Sequence, residues 1–277
     1  MSPGRVGAAL ARARVLGLAR LDAQALLAHV LERPRAWLIA HDDATLDAAQ
    51  AARFESLAAR RAAGEPLAYL VGQKEFHGLT LAVGPATLVP RPETELLVDW
   101  AIELLDSRGG SGRASVVDLG TGSGAIALAL AHARPSAMLT ALDASPAALE
   151  VARGNGRRLG LEVEWLHSDW WAALGQRRFD LALANPPYVA AGDPHLAALS
   201  HEPASALLGG ACGLDALQHL AATAPDHLHP GGWLLLEHGH DQGPAVRAAL
   251  GRHGFVNVAT RADLAGLPRC TGGSMRA

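Results

Sequence analysis

Lysine is all but missing from this chain: Lys74 is the one lysine among 24 basic residues, the rest being arginine. That bias carries no functional reading. Basic excess is missing too, since 24 Lys+Arg against 27 Asp+Glu give a formal charge of −3. This argues against a protein that holds nucleic acid stably by neutralising phosphates. Cysteine is scarce, with Cys212 and Cys270 alone among 277 residues, so neither a disulfide framework nor a metal-binding spacing exists. The chain contains no HExxH and no paired Cys/His spacing, and no metal centre is expected. No run approaches the ~20 apolar residues that span a membrane. Arg12 and Arg14, behind Arg5, interrupt the apolar run a secretory signal needs. A cytoplasmic protein without membrane contact is expected.

What is present falls into parts of different texture. Residues 6 to 63 read as four or five helices. Leu16, Leu18, Leu21, Leu26, Leu27, Val30 and Leu31 recur at helical spacing, Asp22 stands where an N-cap would, and an Ala-rich helix runs from Asp47 to Ala63. From Gly64 to Pro92, glycines and prolines separate short apolar pieces (Tyr69 to Val71, Leu79 to Val83, Thr87 to Val89), which predicts a hairpin linker of two short strands. Beyond Glu93 helix and strand alternate. Strands are expected at 115–119, 138–142, 162–167, 179–184, 233–237 and 256–260, and helices at 93–105, 125–133, 146–159 and 244–253. The fold class expected is α/β: a doubly wound, mostly parallel sheet with ligands beyond the carboxyl ends of its strands. The expected division is a helical domain over 1–75, a hairpin linker over 76–92 and the α/β domain over 93–277.

Asp118-Leu119-Gly120-Thr121-Gly122-Ser123-Gly124 ends the first strand of that sheet and opens a helix. Its glycines permit a sharp turn and a close approach to a ligand. Gly120-x-Gly122-x-x-Ala125, with Asp143 about 20 residues on, satisfies a relaxed dinucleotide fingerprint, so the turn alone fits NAD or S-adenosylmethionine. Asp118 tips the balance, because a carboxylate there repels a pyrophosphate and suits an ammonium group. Asp143 can accept from ribose hydroxyls. Asp169-Trp170, after the next strand, is placed to offer an adenine an acceptor and an aromatic face.

Asn185-Pro186-Pro187-Tyr188 follows the buried strand 179–184. Proline fixes φ and donates no hydrogen bond, so the Pro186 carbonyl stays free to accept one. The Asn185 side-chain oxygen is a second acceptor. Two adjacent acceptors suit a planar NH2 group, and the tetrapeptide by itself does not separate adenine from glutamine.

Together with Ser168-Asp169-Trp170 and Leu236-Glu237-His238-Gly239, these motifs resemble class I methyltransferases that modify planar nitrogens. Leu88-Val89-Pro90-Arg91-Pro92-Glu93-Thr94-Glu95, Gly64-Glu65-Pro66-Leu67-Ala68-Tyr69 and Asp193-Pro194-His195-Leu196 resemble more closely the release-factor glutamine methyltransferases, the PrmC/HemK family. The resemblance runs over nearly the whole chain and is loose only at Leu267 to Gly272. It implies methylation, by S-adenosylmethionine, of the glutamine in the Gly-Gly-Gln loop of class 1 peptide chain release factors. It implies cofactor contacts from Gly120 to Gly124, Asp143, Trp170 and Asn185, and a glutamine held by Asn185 to Tyr188. Asn185, Pro186 and Tyr188 are then the catalytic group, the helical domain is a grip on the release factor, and a monomer is expected. Sister enzymes acting on a ribosomal-protein glutamine share the catalytic motifs but differ at Arg91 to Glu95. DNA adenine methyltransferases share Asn-Pro-Pro-Tyr, yet this chain lacks both a basic balance and a DNA-reading domain.

Overall fold

The computed structural model describes residues 4–107 and 113–277. The chain divides into two compact units, one ending at Gln73 and one running from Lys74 to Ala277.

The first unit holds helices α1 (Val6–Val15), α2 (Arg20–Leu31), α3 (Arg35–Ala40), α4 (Ala48–Ala62) and α5 (Leu67–Val71). Two-residue strands β1 (Gly4–Arg5) and β2 (Thr45–Leu46) pair antiparallel. Leu26, Leu27, Leu38 and Phe54 are fully buried in its core. At the start of α4, Asp47 accepts from the Gln50 N–H and Gln50 reaches back to the Asp47 N–H, a reciprocal cap that satisfies two orphan donors. Asp22 is not the N-cap of α2, which begins two residues earlier. It lies in the first turn, where it accepts from Arg61 at 2.8 Å. Tyr69 to Val71 is helical rather than extended, because Pro66 opens a short helix that buries Ala68, Tyr69 and Leu70.

The hairpin is β3 (Gln73–Phe76) and β4 (Leu79–Ala82), all but its first residue in the second unit. Residues 87–89 are not a strand. The hairpin is no free linker, since Phe76, Leu79 and Leu81 share a core with Leu97, Val98 and Trp100. A turn of 3-10 helix at Pro92–Thr94 leads into α6 (Glu95–Ser107). The seven-stranded sheet comprises β5 (Ser115–Leu119), β6 (Met138–Asp143), β7 (Glu164–His167), β8 (Phe179–Ala184), β9 (Leu228–Glu237), β10 (Val256–Ala262) and β11 (Pro268–Ser274). Its order is β10-β11-β9-β8-β5-β6-β7, parallel from β9 to β7 and antiparallel on both sides of β11. Between the strands run α7 (Ala125–Ala133), α8 (Pro146–Leu159), α9 (Asp215–Thr223) and α10 (Gly243–Arg252).

Helix α7 is apolar all round and buried from Ala125 to Ala131, as befits a helix enclosed within a core. Helix α8 starts with the Ser145 side chain accepting from the Ala148 N–H and with Pro146 in the first turn; it stops at left-handed Gly160. The sequence reading closes the sheet at 256–260 and omits both α9 and β11. Strand β11 has no apolar alternation to reveal it. Gly272 passes so close beneath Leu235 and Trp100 that a side chain would not fit.

Candidate active site

Strand β6 follows β5 on one side while β8 lies on the other, so the sheet changes winding direction between β5 and β8. Ligands of such sheets sit at that point, beyond the carboxyl ends of the strands. There the structure brings together the glycine turn, Asp143 and Asn185. They line a cleft of ≈ 390 Å³ whose facing wall is built from Pro85 to Leu88, Arg91, Thr94 and Ser205. A wider groove of ≈ 1130 Å³ lies at the opposite, amino ends of β5 to β7, away from every motif.

The turn is held by backbone: the N–H groups of Gly120 and Thr121 both donate to the Leu142 carbonyl, at 2.9 and 2.8 Å. Gly124 has φ +85°, and an added side chain would press on Leu128, Trp165 and Ala152. Asn155 of α8, wholly buried, donates to the carbonyls of Ser123 and Ala82 and accepts from the Ala82 N–H. One amide thus ties the turn to the hairpin.

Asp118 is fully buried beneath the turn. Its Oδ2 accepts from Thr121 Oγ1 at 2.6 Å and from the Ala127 N–H at 3.2 Å. Its Oδ1 is buried with no partner among the described residues. Burial pushes the carboxyl up to about 7, against the pull of those two hydrogen bonds. Asp118 lies beneath the turn and does not itself line the cleft; a buried carboxylate oxygen without a partner is a group an ammonium would satisfy. Asp143 accepts from the Gly122 N–H through Oδ2 and from the Ser145 N–H through Oδ1, both at 2.8 Å. Each oxygen keeps a further lone pair, enough for two hydroxyls. These residues fit the amino acid and ribose ends of S-adenosylmethionine.

Asp169 is exposed and outside the cleft wall. Trp170, at φ +45°, is partly buried, and its ring lies 3.5 Å from where a Gly120 side chain would begin. Pro186, Pro187 and Tyr188 also stand outside that wall, continuing from Asn185 toward the end of β9.

The Asn185 Nδ2 group donates to Thr94 Oγ1 at 3.2 Å, and the Tyr188 hydroxyl donates to Glu237 Oε1 at 3.2 Å. The other oxygen of that carboxylate, Glu237 Oε2, is buried with no hydrogen-bond partner among the described residues. Among the described residues nothing donates to Asn185 Oδ1 or to the Pro186 carbonyl. Glu237 is buried, which pushes its carboxyl up to about 7 despite Thr94, Tyr188 and Arg269. Burial likewise raises the Tyr188 phenol, with the Glu237 charge adding to it. The loop's outer side is fixed by Gln242, whose Nε2 donates to the Tyr188 carbonyl at 3.0 Å. Glu202 accepts from the Val89 N–H at 2.9 Å and pairs with Arg91. Among the described residues no group of His, Cys, Asp or Glu is placed to hold a metal, and no helix is long and apolar enough to cross a membrane.

Sequence reasoning missed Thr94, Glu237, Glu202, Asn155 and Gln242 as parts of this arrangement. The first two lie inside segments singled out as motifs. The other three carry no local signal and act only across the fold.

Residues 5–72 match the PrmC N-terminal domain and residues 94–206 the methyltransferase small domain. A release factor glutamine methyltransferase of Xylella fastidiosa is 50% identical over 268 residues, 96% of each chain. Another, of Bordetella pertussis, is 50% identical over 260 residues, 93% of this chain and 95% of that one. Among solved structures, a methyltransferase from Pyrococcus furiosus superposes with a TM-score of 0.54 at 19% identity, over 72% of this chain and 90% of its own. That likeness shows the fold alone.

Proposed function

As the chain belongs to the release factor glutamine methyltransferase family, we propose that it methylates the side-chain amide nitrogen of the Gly-Gly-Gln glutamine in class 1 peptide chain release factors. The observation that carries this reading is the orientation of Asn185. Its NH2 end is committed to Thr94, which leaves its oxygen as an acceptor at the cleft, one residue from the Pro186 carbonyl.

S-adenosylmethionine, when bound, supplies an electrophilic methyl group on a sulfonium. The chain's own residues hold and orient. Asp118 would take the ammonium group and Asp143 the ribose hydroxyls, and Gly120 to Ser123 would let the backbone approach closely. Asn185 Oδ1 and the Pro186 carbonyl accept from the two N–H groups of the substrate amide. An amide nitrogen is a poor nucleophile because its lone pair is delocalised into the carbonyl. Two fixed acceptors place partial negative charge beside that nitrogen as it becomes positive, an oxyanion hole with its sign reversed. They also hold it in attack geometry. Tyr188, anchored by Glu237, packs on the flat amide and excludes water. The N–C bond forms as the sulfonium C–S bond breaks, the electron pair of that bond staying on sulfur as a neutral thioether; the alkylated nitrogen is acidic enough to give its proton to water, so no strong base is required.

The helical unit is the part we assign to gripping the release factor, since a Gly-Gly-Gln tip is a small target. The formal charge of −3 favours a protein substrate over stable nucleic acid binding. A cytoplasmic monomer fits this role. The test is incubation of the protein with labelled cofactor and unmethylated release factor, followed by mass spectrometry. One methyl on the Gly-Gly-Gln glutamine is expected, lost on Asn185→Ala. Label on a ribosomal protein or on DNA, with none on the release factor, refutes the assignment.

A further inference from the structure

His238, one residue past Glu237 at the end of β9, is fully buried and lies outside the cofactor cleft. Its hydrogens follow from its partners. Nδ1 stands 2.8 Å from the Gly239 carbonyl; a carbonyl only accepts, so Nδ1 carries a proton. Nε2 stands 2.7 Å from Thr271 Oγ1, which is 2.8 Å from Thr260 Oγ1, which accepts from Arg247 at 2.8 Å. With Nε2 bare, Thr260 donates to Thr271 and Thr271 to the ring, and every hydrogen has an acceptor. With a proton on Nε2, one hydroxyl hydrogen is left with no acceptor among the described residues. The buried ring is therefore neutral, its one proton on Nδ1. Burial also lowers its affinity for a second proton, and the Arg269 and Arg247 charges add to that, against the Gly239 carbonyl and Asp241.

The Gly239 carbonyl that takes the ring proton also accepts from the Gln242 N–H at 2.9 Å, and the Gly239 N–H donates to Gln242 Oε1 at 2.8 Å. The oxygen of the Gln242 side chain is thereby committed. Its Nε2 faces the Tyr188 carbonyl at 3.0 Å and the Gly213 carbonyl at 3.1 Å and donates to both. Reversing this amide would set its oxygen against two carbonyls and its NH2 against an N–H. The fit has no slack, since a Cβ on Gly213 would stand 2.2 Å from the Tyr188 carbonyl oxygen.

We propose that His238 and Gln242 are positioning residues for the substrate amide: the Nδ1–H of His238 shapes the Gly239 turn, and that turn aims the Gln242 amide, which fixes Tyr188 and, two residues back, the Pro186 carbonyl. The inference rests on the reading of the Asn-Pro-Pro-Tyr loop as the glutamine pocket. The loop is then held at both ends, by the Asn185 bond to Thr94 and by the Gln242 bond to Tyr188. The chain of donors behind Gln242 starts on α10, crosses β10 and β11, and reaches the loop through backbone.

The experiment uses the full chain with Gln242→Leu, Gln242→Glu, His238→Leu and His238→Asn. In the cofactor-free wild type, nitrogen NMR of the His238 ring, identified by its loss in His238→Asn, shows a proton on Nδ1 and none on Nε2. The Gln242 side-chain NH2 hydrogens, identified by their loss in Gln242→Leu, exchange with solvent at least about tenfold faster in His238→Leu than in the wild type. With release factor, Gln242→Leu loses on the order of 10²-fold in kcat. Gln242→Glu, which keeps the acceptor but sets oxygen against two carbonyls, loses at least as much. Both bind cofactor stoichiometrically and within about twofold of the wild-type affinity, so lost folding does not account for the fall. His238→Leu loses about tenfold in kcat, and His238→Asn, whose NH2 reaches the place of Nδ1, restores most of it. Gln242→Leu and His238→Leu combined lose no more than Gln242→Leu alone, as members of one chain should. A proton on Nε2, kcat within about threefold of wild type in Gln242→Leu, fully additive losses, or cofactor affinity falling in step with kcat overturns the inference. Failure of the wild type to methylate the release factor refutes the proposed function instead. In that event the ring proton and the Gln242 exchange, which need no substrate, still decide whether His238 aims Gln242.

Discussion

The buried carboxylate of Glu202 accepts a hydrogen bond from the backbone N–H of Val89, 113 residues earlier in the chain, at 2.9 Å. The same carboxylate pairs with Arg91, so one side chain from the loop beyond Tyr188 fastens the facing wall of the cofactor cleft. Glu202→Ala strips both partners. Breaking a buried pair is strongly destabilising, but the Arg91 side chain is 35% exposed and can turn to water. We expect a loss of about 2 kcal/mol in urea unfolding, with cofactor affinity by calorimetry several-fold weaker.

Asp118 makes the cofactor-free protein sensitive to pH. Its carboxyl is raised from 3.8 to about 7 by burial. A raised carboxyl favours the folded state fully below the unfolded value and loses that contribution as pH climbs through the folded value. The interval is worth up to about 4 kcal/mol, lost between about pH 4 and pH 7. Glu237 adds a slope of the same sign. Thermal midpoints should therefore rise as pH is lowered from 8 to 6, and Asp118→Asn should flatten that rise. Because an ammonium at Oδ1 favours the ionised form, the cofactor should stabilise the wild type more at pH 8 than at pH 6. In Asp118→Asn its stabilisation should be small at both. Equal slopes in the two proteins would refute the role given to Asp118.

Gly209 runs against the outer side of the Asn-Pro-Pro-Tyr loop, where an added Cβ would stand 2.5 Å from the Pro187 carbonyl oxygen and 2.9 Å from Tyr188 Cα. Both are backbone and cannot rotate aside. Gly209→Ala should cost about 1–3 kcal/mol and at least about tenfold in kcat, while cofactor affinity stays close to the wild type. The control is Gly154→Ala within α8, where a Cβ meets nothing within 4 Å. It should stabilise the protein by about 0.5–1 kcal/mol and leave kcat alone.

Asn155 reads differently under two substitutions. Asn155→Ala removes the bonds to Ala82 and Ser123 and leaves buried backbone groups unpaired, for a loss of about 3 kcal/mol. Asn155→Asp keeps the acceptor for the Ala82 N–H but sets oxygen against two carbonyl oxygens. It should be at least as destabilising by denaturant titration, although it is closer in shape.

The alternating part of the fold was legible because its strands and helices carry their own periodicity. Residues 115–119, 125–133, 146–159 and 179–184 were read to the residue. Strand β11 was not, because Cys270 to Ser274 is buried by the thinness of Gly272 and Gly273 rather than by apolar side chains. Residues 87–89 looked like a strand by composition, yet lie between Pro85 and Pro90, and the Val89 N–H bonds to Glu202 instead of a ladder. The glycine turn and the Asn-Pro-Pro-Tyr loop announce themselves as unbroken motifs. What orients them does not. Glu202, Asn155 and Gln242 each act across tens of residues on backbone groups, and no local pattern marks a side chain for such work.

The insertion of β11 between β9 and β10 has a consequence for how the protein is made. In register, Cys270 lies opposite Glu237 and Thr271 opposite Leu236, so the strand carrying the Glu237 carboxylate gains its second neighbour from a strand made after both β9 and β10. Until then the edge of β9 is open and β10 has no partner in the sheet, a surface prone to pairing with other chains. A chain arrested before Pro268 would keep every glycine, acid and proline of the cleft, yet lack the wall behind Glu237. The wall behind Glu237 thus waits until β11 has been made and has inserted between two strands that precede it.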